Sequence, residues 1–132
     1  MTGILVDTYA WIEIFRDSPW GRQALEHIEG KSSLAVSVLT LYELQYRLGE
    51  LYGEEKTGSL IATIQSHAEA IPVDTPIAVA AGSIKSRQNK KGSGMGAVDC
   101  MILATARSRG LKILSGDKHF AGLRESLDIS GA

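Results

Sequence analysis

The feature that most limits the fold is a three-residue apolar run, Ile4-Leu5-Val6, that ends abruptly in Asp7. A short uninterrupted apolar run reads as a strand covered on both faces, the setting of strands in parallel sheets. Thr8 to Phe15 follows at once and reads as a short helix. The pattern recurs late in the chain, where Leu111-Lys112-Ile113-Leu114 leads into Ser115-Gly116-Asp117. Ligands of open parallel sheets gather at the carboxyl ends of the strands, so both acids fall where chemistry is expected. An Asp before a helix also serves as a plain N-cap, and Asp7 alone does not separate the two roles.

Between these strands, helices and strands alternate. Ser18 and Pro19 have the capping chemistry of a helix that runs through Ala24, Leu25 and Ile28 to Gly30. Leu34 to Ser37 reads as a strand, and Val38 to Tyr52 as a helix with Leu41, Leu44, Leu48 and Leu51 in one stripe. Gly53 to Gly58 reads as a polar break and Leu60 to Ala68 as a helix. Ile71-Pro72-Val73 reads as a short strand, with Pro72 marking a sheet edge or strand end. A helix begins at Pro76 and extends through Ile84 to about Gln88. Its Ala78, Ala80, Ala81 and Gly82 are small enough for close packing on another element or a second subunit.

The loop 89–96 is basic and then glycine-rich, and Ala97 to Ser108 reads as a helix closed by Gly110. That helix is expected to bury Val98, Met101, Ile102, Thr105 and Ala106. His119 to Leu123 reads as a helical turn in which His119 and Phe120 pack, and Leu127 to Ile129 as a last edge strand. Trp11 and Trp20 read as core or subunit contacts. Such alternation predicts an α/β fold, a three-layer α/β/α sandwich on a mostly parallel sheet, with residues 1–132 as one domain.

Composition narrows the chemistry. A formal net charge of −1 means that any nucleic acid must be held by a local basic patch rather than by global charge. The single cysteine, Cys100, excludes an internal disulfide and argues against a cysteine zinc site. His27, His67 and His119 show no ligand spacing. No apolar run approaches the roughly 18 residues of a membrane span, and the start of the chain lacks a secretory pattern, so a cytoplasmic protein is expected.

Two further acids join Asp7 and Asp117. Asp99 lies in the first turn of the helix after the glycine loop, and Glu43 lies early in the Val38 helix, beside its leucine stripe. Each has an ordinary explanation. A carboxylate favours a helix N-terminus, and Glu43 is spaced to pair with Arg47 at (i, i+4). Together, however, the four can point into one crevice at the edge of a small sheet. Carboxylates packed so closely repel strongly, and the cluster holds only with protons or cations. A hard divalent ion suits oxygen ligands, and such a site activates water against a phosphate.

The motifs now resemble those of a known family. Asp7-Thr8, Ser37-Val38-Leu39-Thr40-Leu41-Tyr42-Glu43-Leu44, Val98 through Ala106, and Ile113 through Phe120 are similar, in order, to the motifs of the PIN domain. More narrowly they resemble VapC-type toxins of prokaryotic toxin–antitoxin pairs. The resemblance implies an α/β/α sandwich, a Mg²⁺- or Mn²⁺-dependent endoribonuclease that hydrolyses RNA, a homodimer, and an antitoxin that fills the active-site groove. It implies Asp7, Glu43, Asp99 and Asp117 as the catalytic metal site. Asp7, Asp99 and Asp117 would hold the cation, while Glu43 completes its shell or orients the attacking water. Thr8 and Ser115 match hydroxyls that orient carboxylates or water, and Ser37 matches a supporting position. The chain departs from the family pattern at Gly116, where a larger residue is usual, and at Tyr9, where a small one is. The resemblance also admits a stand-alone RNA-processing nuclease, or a PIN-like module that binds RNA or protein without cutting.

Lys85, Arg87, Lys90 and Lys91 precede Asp99 and read either as a solvated helix end or as a rim that tracks RNA phosphates. Other patterns fail. Gly30-Lys31-Ser32-Ser33 lacks the upstream glycine of a P-loop, since Leu25 stands there. Tyr9 occupies the place of the second acid that a haloacid-dehalogenase-type phosphotransferase requires. A phosphoacceptor signalling domain needs an acidic pair where this chain has Asp7 alone.

Overall fold

Ile4 and Val6 face one way and Leu5 the other, and both sides of this strand are buried. The computed structural model describes residues 3–31 and 33–129, so residues 1, 2, 32 and 130–132 of the expected domain lie outside it, Ser32 included. Among the described residues the chain runs β1 (Ile4–Val6), α1 (Thr8–Phe15), α2 (Pro19–Ile28), β2 (Leu34–Ser37), α3 (Val38–Tyr52) and α4 (Glu54–His67). It continues through β3 (Glu69–Ile71), α5 (Thr75–Lys90), α6 (Ala97–Arg109), β4 (Lys112–Ser115) and β5 (Ser126–Asp128).

The sheet order is β3-β2-β1-β4-β5. Every pairing is parallel, with Val6 opposite Leu114 in the central pair. The chain walks outward from β1 to β3 and then returns to lay β4 on the other side of β1. The order therefore reverses between β1 and β4, and the crevice beyond their carboxyl ends is where such sheets bind ligands.

Helices cover both faces, giving the expected α/β/α sandwich. Ile4, Val6, Val36 and Leu114 pack with Ala10, Trp11, Ala24, Leu44, Leu48 and Ile64 of α1 to α4. Leu5, Ala35 and Ile113 pack on the opposite side with Ile77, Ala81 and Ile84 of α5 and with α6. Trp11 is thus core, whereas Trp20 is exposed.

Local chemistry moves several expected boundaries. The polar break shrinks to Gly53, whose φ of 87° turns the chain directly into α4, and Glu54 and Glu55 favour that helix start. The third strand stops at Ile71 instead of spanning 71–73, because Pro72 has no N–H for the ladder. It is an edge strand, as Pro72 implied. Asp74 begins α5 one residue early by accepting from the Ile77 N–H at 3.0 Å. The leucine stripe of α3 fails at its end, since Leu51 opens onto a surface groove beside Phe15 and Leu48. Of the small residues of α5, Ala81 alone is buried, and Ala78, Ala80 and Gly82 face outward. In α6, Val98 is exposed while Cys100 and Ile102 through Ala106 are buried. A helix enclosed by sheet and neighbour is buried around much of its circumference, so no single stripe describes it.

Candidate active site

One cleft at the carboxyl edge of the sheet gathers residues from four separated segments. It has a volume of about 270 Å³ and is lined by Asp7, Thr8, Tyr9, Ile12, Glu13, Arg16, Glu43, Arg47, Asp99 and Asp117. All four acids singled out from the sequence are there. The switch between β1 and β4 explains the meeting, because Asp7 follows one strand and Asp117 the other. The first turn of α6 brings Asp99, and α3, which leaves β2 at the same edge, brings Glu43.

Asp7 occupies the N-cap position of α1, yet its side chain makes no capping hydrogen bond. Its Oδ2 instead accepts from the Ser115 hydroxyl at 2.9 Å. The same Ser115 oxygen accepts from the Asp117 N–H at 3.0 Å, so one buried hydroxyl ties two acids together. Thr8 Oγ1 donates to Glu43 Oε1 at 2.7 Å, and Arg47 pairs with the other oxygen of Glu43 at 3.4 Å. The expected (i, i+4) pair therefore exists alongside the placement of Glu43 in the cleft. Ser37 touches none of these carboxylates. It accepts from the Leu39 N–H at 3.1 Å and caps α3, which carries Glu43.

Five carboxylates face two arginines across this space. Burial pushes the Asp7 carboxyl up to about 7, well above its ordinary 3.8. Asp99 is also raised, first by burial and then by the nearby charge of Asp117. An acid so placed takes a proton or requires a cation.

His119, which was expected only to pack, sits among these acids. Its Nδ1 lies 3.2 Å from Asp99 Oδ2 and 3.2 Å from Asp117 Oδ1, although it makes no aligned hydrogen bond among the described residues. Its backbone N–H donates to Asp117 Oδ1 at 2.8 Å. Ligand atoms of Asp99, Asp117 and His119 all fall within 4.8 Å of one another. The oxygen-rich donor set, and an Asp7 whose charge burial disfavours, fit a hard divalent cation.

The fold, the cleft at the strand-order reversal and the four acids in their order coincide with a family pattern. The profile of the PIN domain matches residues 4–125. The chain belongs to the PIN domain family. Within it, a Salmonella typhimurium protein named tRNA(fMet)-specific endonuclease VapC is 29% identical over 136 residues, covering 99% of this chain and 95% of that protein. A Shigella flexneri protein of the same name is 28% identical over 118 residues, covering 89% and 88%. The solved structure of DNA-bound VapBC from Salmonella typhimurium superposes with a TM-score of 0.80 at 26% identity, covering 98% of this chain and 99% of that one.

The PIN cleft also holds residues that the sequence did not single out. Ile12, Glu13 and Arg16 form one wall together with Tyr9, which the sequence marked only as a departure from the family pattern, at the i, i+3, i+4, i+7 spacing of a helix face, and that spacing was the available signal. Glu13 is buried and pairs with Arg16 at 3.2 Å. The expected basic rim separates into parts. Lys85 turns inward and donates to the Met95 carbonyl at 2.9 Å, while Arg87 and Lys91 line a different groove from the acids. Lys90 is exposed and lines neither. No helix among the described residues is long and apolar enough to cross a membrane.

Proposed function

We propose that this protein is a divalent-cation-dependent endoribonuclease and the toxin of a toxin–antitoxin pair. One observation carries the reading: Asp7, Glu43, Asp99 and Asp117 line a single cleft at the point where the strand order of a PIN fold reverses. The names of the relatives support the choice of RNA, and the VapBC structure supports an antitoxin partner. A homodimer, a cytoplasmic location and a single domain over residues 1–132 belong to the same proposal.

Asp7, Asp99 and Asp117 are the proposed ligands of Mg²⁺ or Mn²⁺. A bound ion of this kind supplies charge stabilisation at the phosphate and a more acidic water. Ser115 fixes the separation of Asp7 and Asp117 by bonding to both segments. Glu43, held by Thr8 and Arg47, faces the cleft with its orientation set and serves to align the attacking water. His119, between Asp99 and Asp117, carries positive charge for the two acids when protonated.

The test is incubation of the purified protein with transfer RNA, initiator tRNA among it, and with ribosomal and messenger RNA, in Mg²⁺ and in EDTA. Discrete fragments in Mg²⁺ that disappear in EDTA are expected. Equal cleavage in EDTA overturns the metal assignment. Intact transfer, ribosomal and messenger RNA in both buffers favours the binding module.

A further inference from the structure

Beside the acidic cleft lies a second groove of opposite character. It has a volume of about 370 Å³, and its lining includes Arg87, Lys91, Arg107 and Lys118, with no Asp or Glu. Three elements contribute these cations: the end of α5, the last turn of α6 and the turn after β4. The C-terminal dipole of α5 accounts for Arg87 and Lys91 at that helix end. The C-terminus of α6 accounts in the same way for Arg107, but no helix end accounts for Lys118, in the turn after β4. Arg107 is held by Glu125 through its Nε at 2.9 Å. Among the described residues, Arg87, Lys91 and Lys118 meet no carboxylate. Three cations in one groove without counter-charges mark a site for a polyanion.

His119 joins the two spaces. It lines the basic groove, and its Nδ1 reaches Asp99 and Asp117 of the cleft. A strand whose scissile phosphate sits over the acids therefore has a continuous path past His119 into the basic groove. We infer that Arg87, Lys91, Arg107 and Lys118 bind the backbone phosphates of single-stranded RNA on one side of the cut. The inference rests on the nuclease reading of the cleft. It replaces the linear segment Lys85, Arg87, Lys90 and Lys91 with a set assembled by folding.

The test measures binding of a fluorescein-labelled single-stranded RNA by anisotropy in EDTA, where cleavage does not interfere, over a series of KCl concentrations. Arg87→Ala/Lys118→Ala is compared with Lys31→Ala/Arg109→Ala, an equal change of charge at the opposite edge of the sheet. Each phosphate contact contributes about 0.7 to the slope of log affinity against log salt for single strands. The groove variant is expected to lose about 1.4 from that slope. Raising KCl from about 50 to about 200 mM then costs the wild type about sevenfold more affinity than the variant. An unchanged slope, or the same loss in the control variant, overturns the inference. Cleavage in Mg²⁺ is read separately. Its absence in the wild type refutes the nuclease reading, while the slopes still decide whether the groove binds RNA.

Discussion

The ring of Tyr9 lies directly against Gly116, so that a Cβ at position 116 would overlap the ring carbons. The two positions read from the sequence as departures from the family pattern are therefore one packing unit: the ring occupies the space that a side chain at 116 would fill. That unit sits between Asp7-Thr8 and Asp117, on the wall of the cleft. Overpacking of this kind typically costs about 1–3 kcal/mol. Gly116→Ser is expected to destabilise by about that amount, and Tyr9→Ala/Gly116→Ser to recover much of it. Urea unfolding of the four proteins in the cycle measures the coupling, and additive effects would contradict the contact.

Asp7 makes stability depend on pH. Its carboxyl sits at about 7 in the folded chain against an ordinary 3.8, so between these values the folded state binds the extra proton. This contribution is fully present below about 4 and is lost as pH rises toward 7, by at most about 1.4 kcal/mol per pH unit. Asp99 acts in the same direction. Thermal unfolding in EDTA is expected to show a falling midpoint across this window. The fall should be smaller in saturating Mg²⁺, which binds the native state. Identical pH profiles in the two buffers would contradict the account.

Thr8 is expected to act through Glu43, to which its hydroxyl donates at 2.7 Å. Thr8→Val removes the donor at nearly constant volume, and Thr8→Ser retains it. Loss of an outer partner of this kind typically lowers activity about 10–100-fold. Cleavage kinetics should therefore fall for Val and recover for Ser. Equal rates for both would leave Thr8 a packing residue.

What the sequence disclosed followed from short-range physics. Ile4-Leu5-Val6-Asp7 and the run into Asp117 carried both the strand identity and the acid position, because a buried parallel strand needs an apolar run and its end is a fixed place in the fold. Glu43 and Asp99 were visible as acids at the flanks of apolar helix faces. His119 was not, since its partners are Asp99, on another element, and Asp117, whose significance depends on the same cluster. Lys85 was read as part of a basic rim, and its inward turn to the Met95 carbonyl is set by folding and not by the local sequence. Arg107 and Lys118 were missed because only the packing of α6 beside α5 and the turn after β4 gathers them with Arg87. Gly116 and Tyr9 each looked like a separate departure until the contact joined them.

The most direct measurement applies one variant to two readouts. Asp7→Asn keeps the shape of the side chain and removes a charge that burial disfavours. In EDTA above pH 7 its unfolding midpoint is expected to equal or exceed that of the wild type, while RNA cleavage in Mg²⁺ disappears. Undiminished cleavage by Asp7→Asn would contradict the assignment of this cleft as the place where RNA is cut.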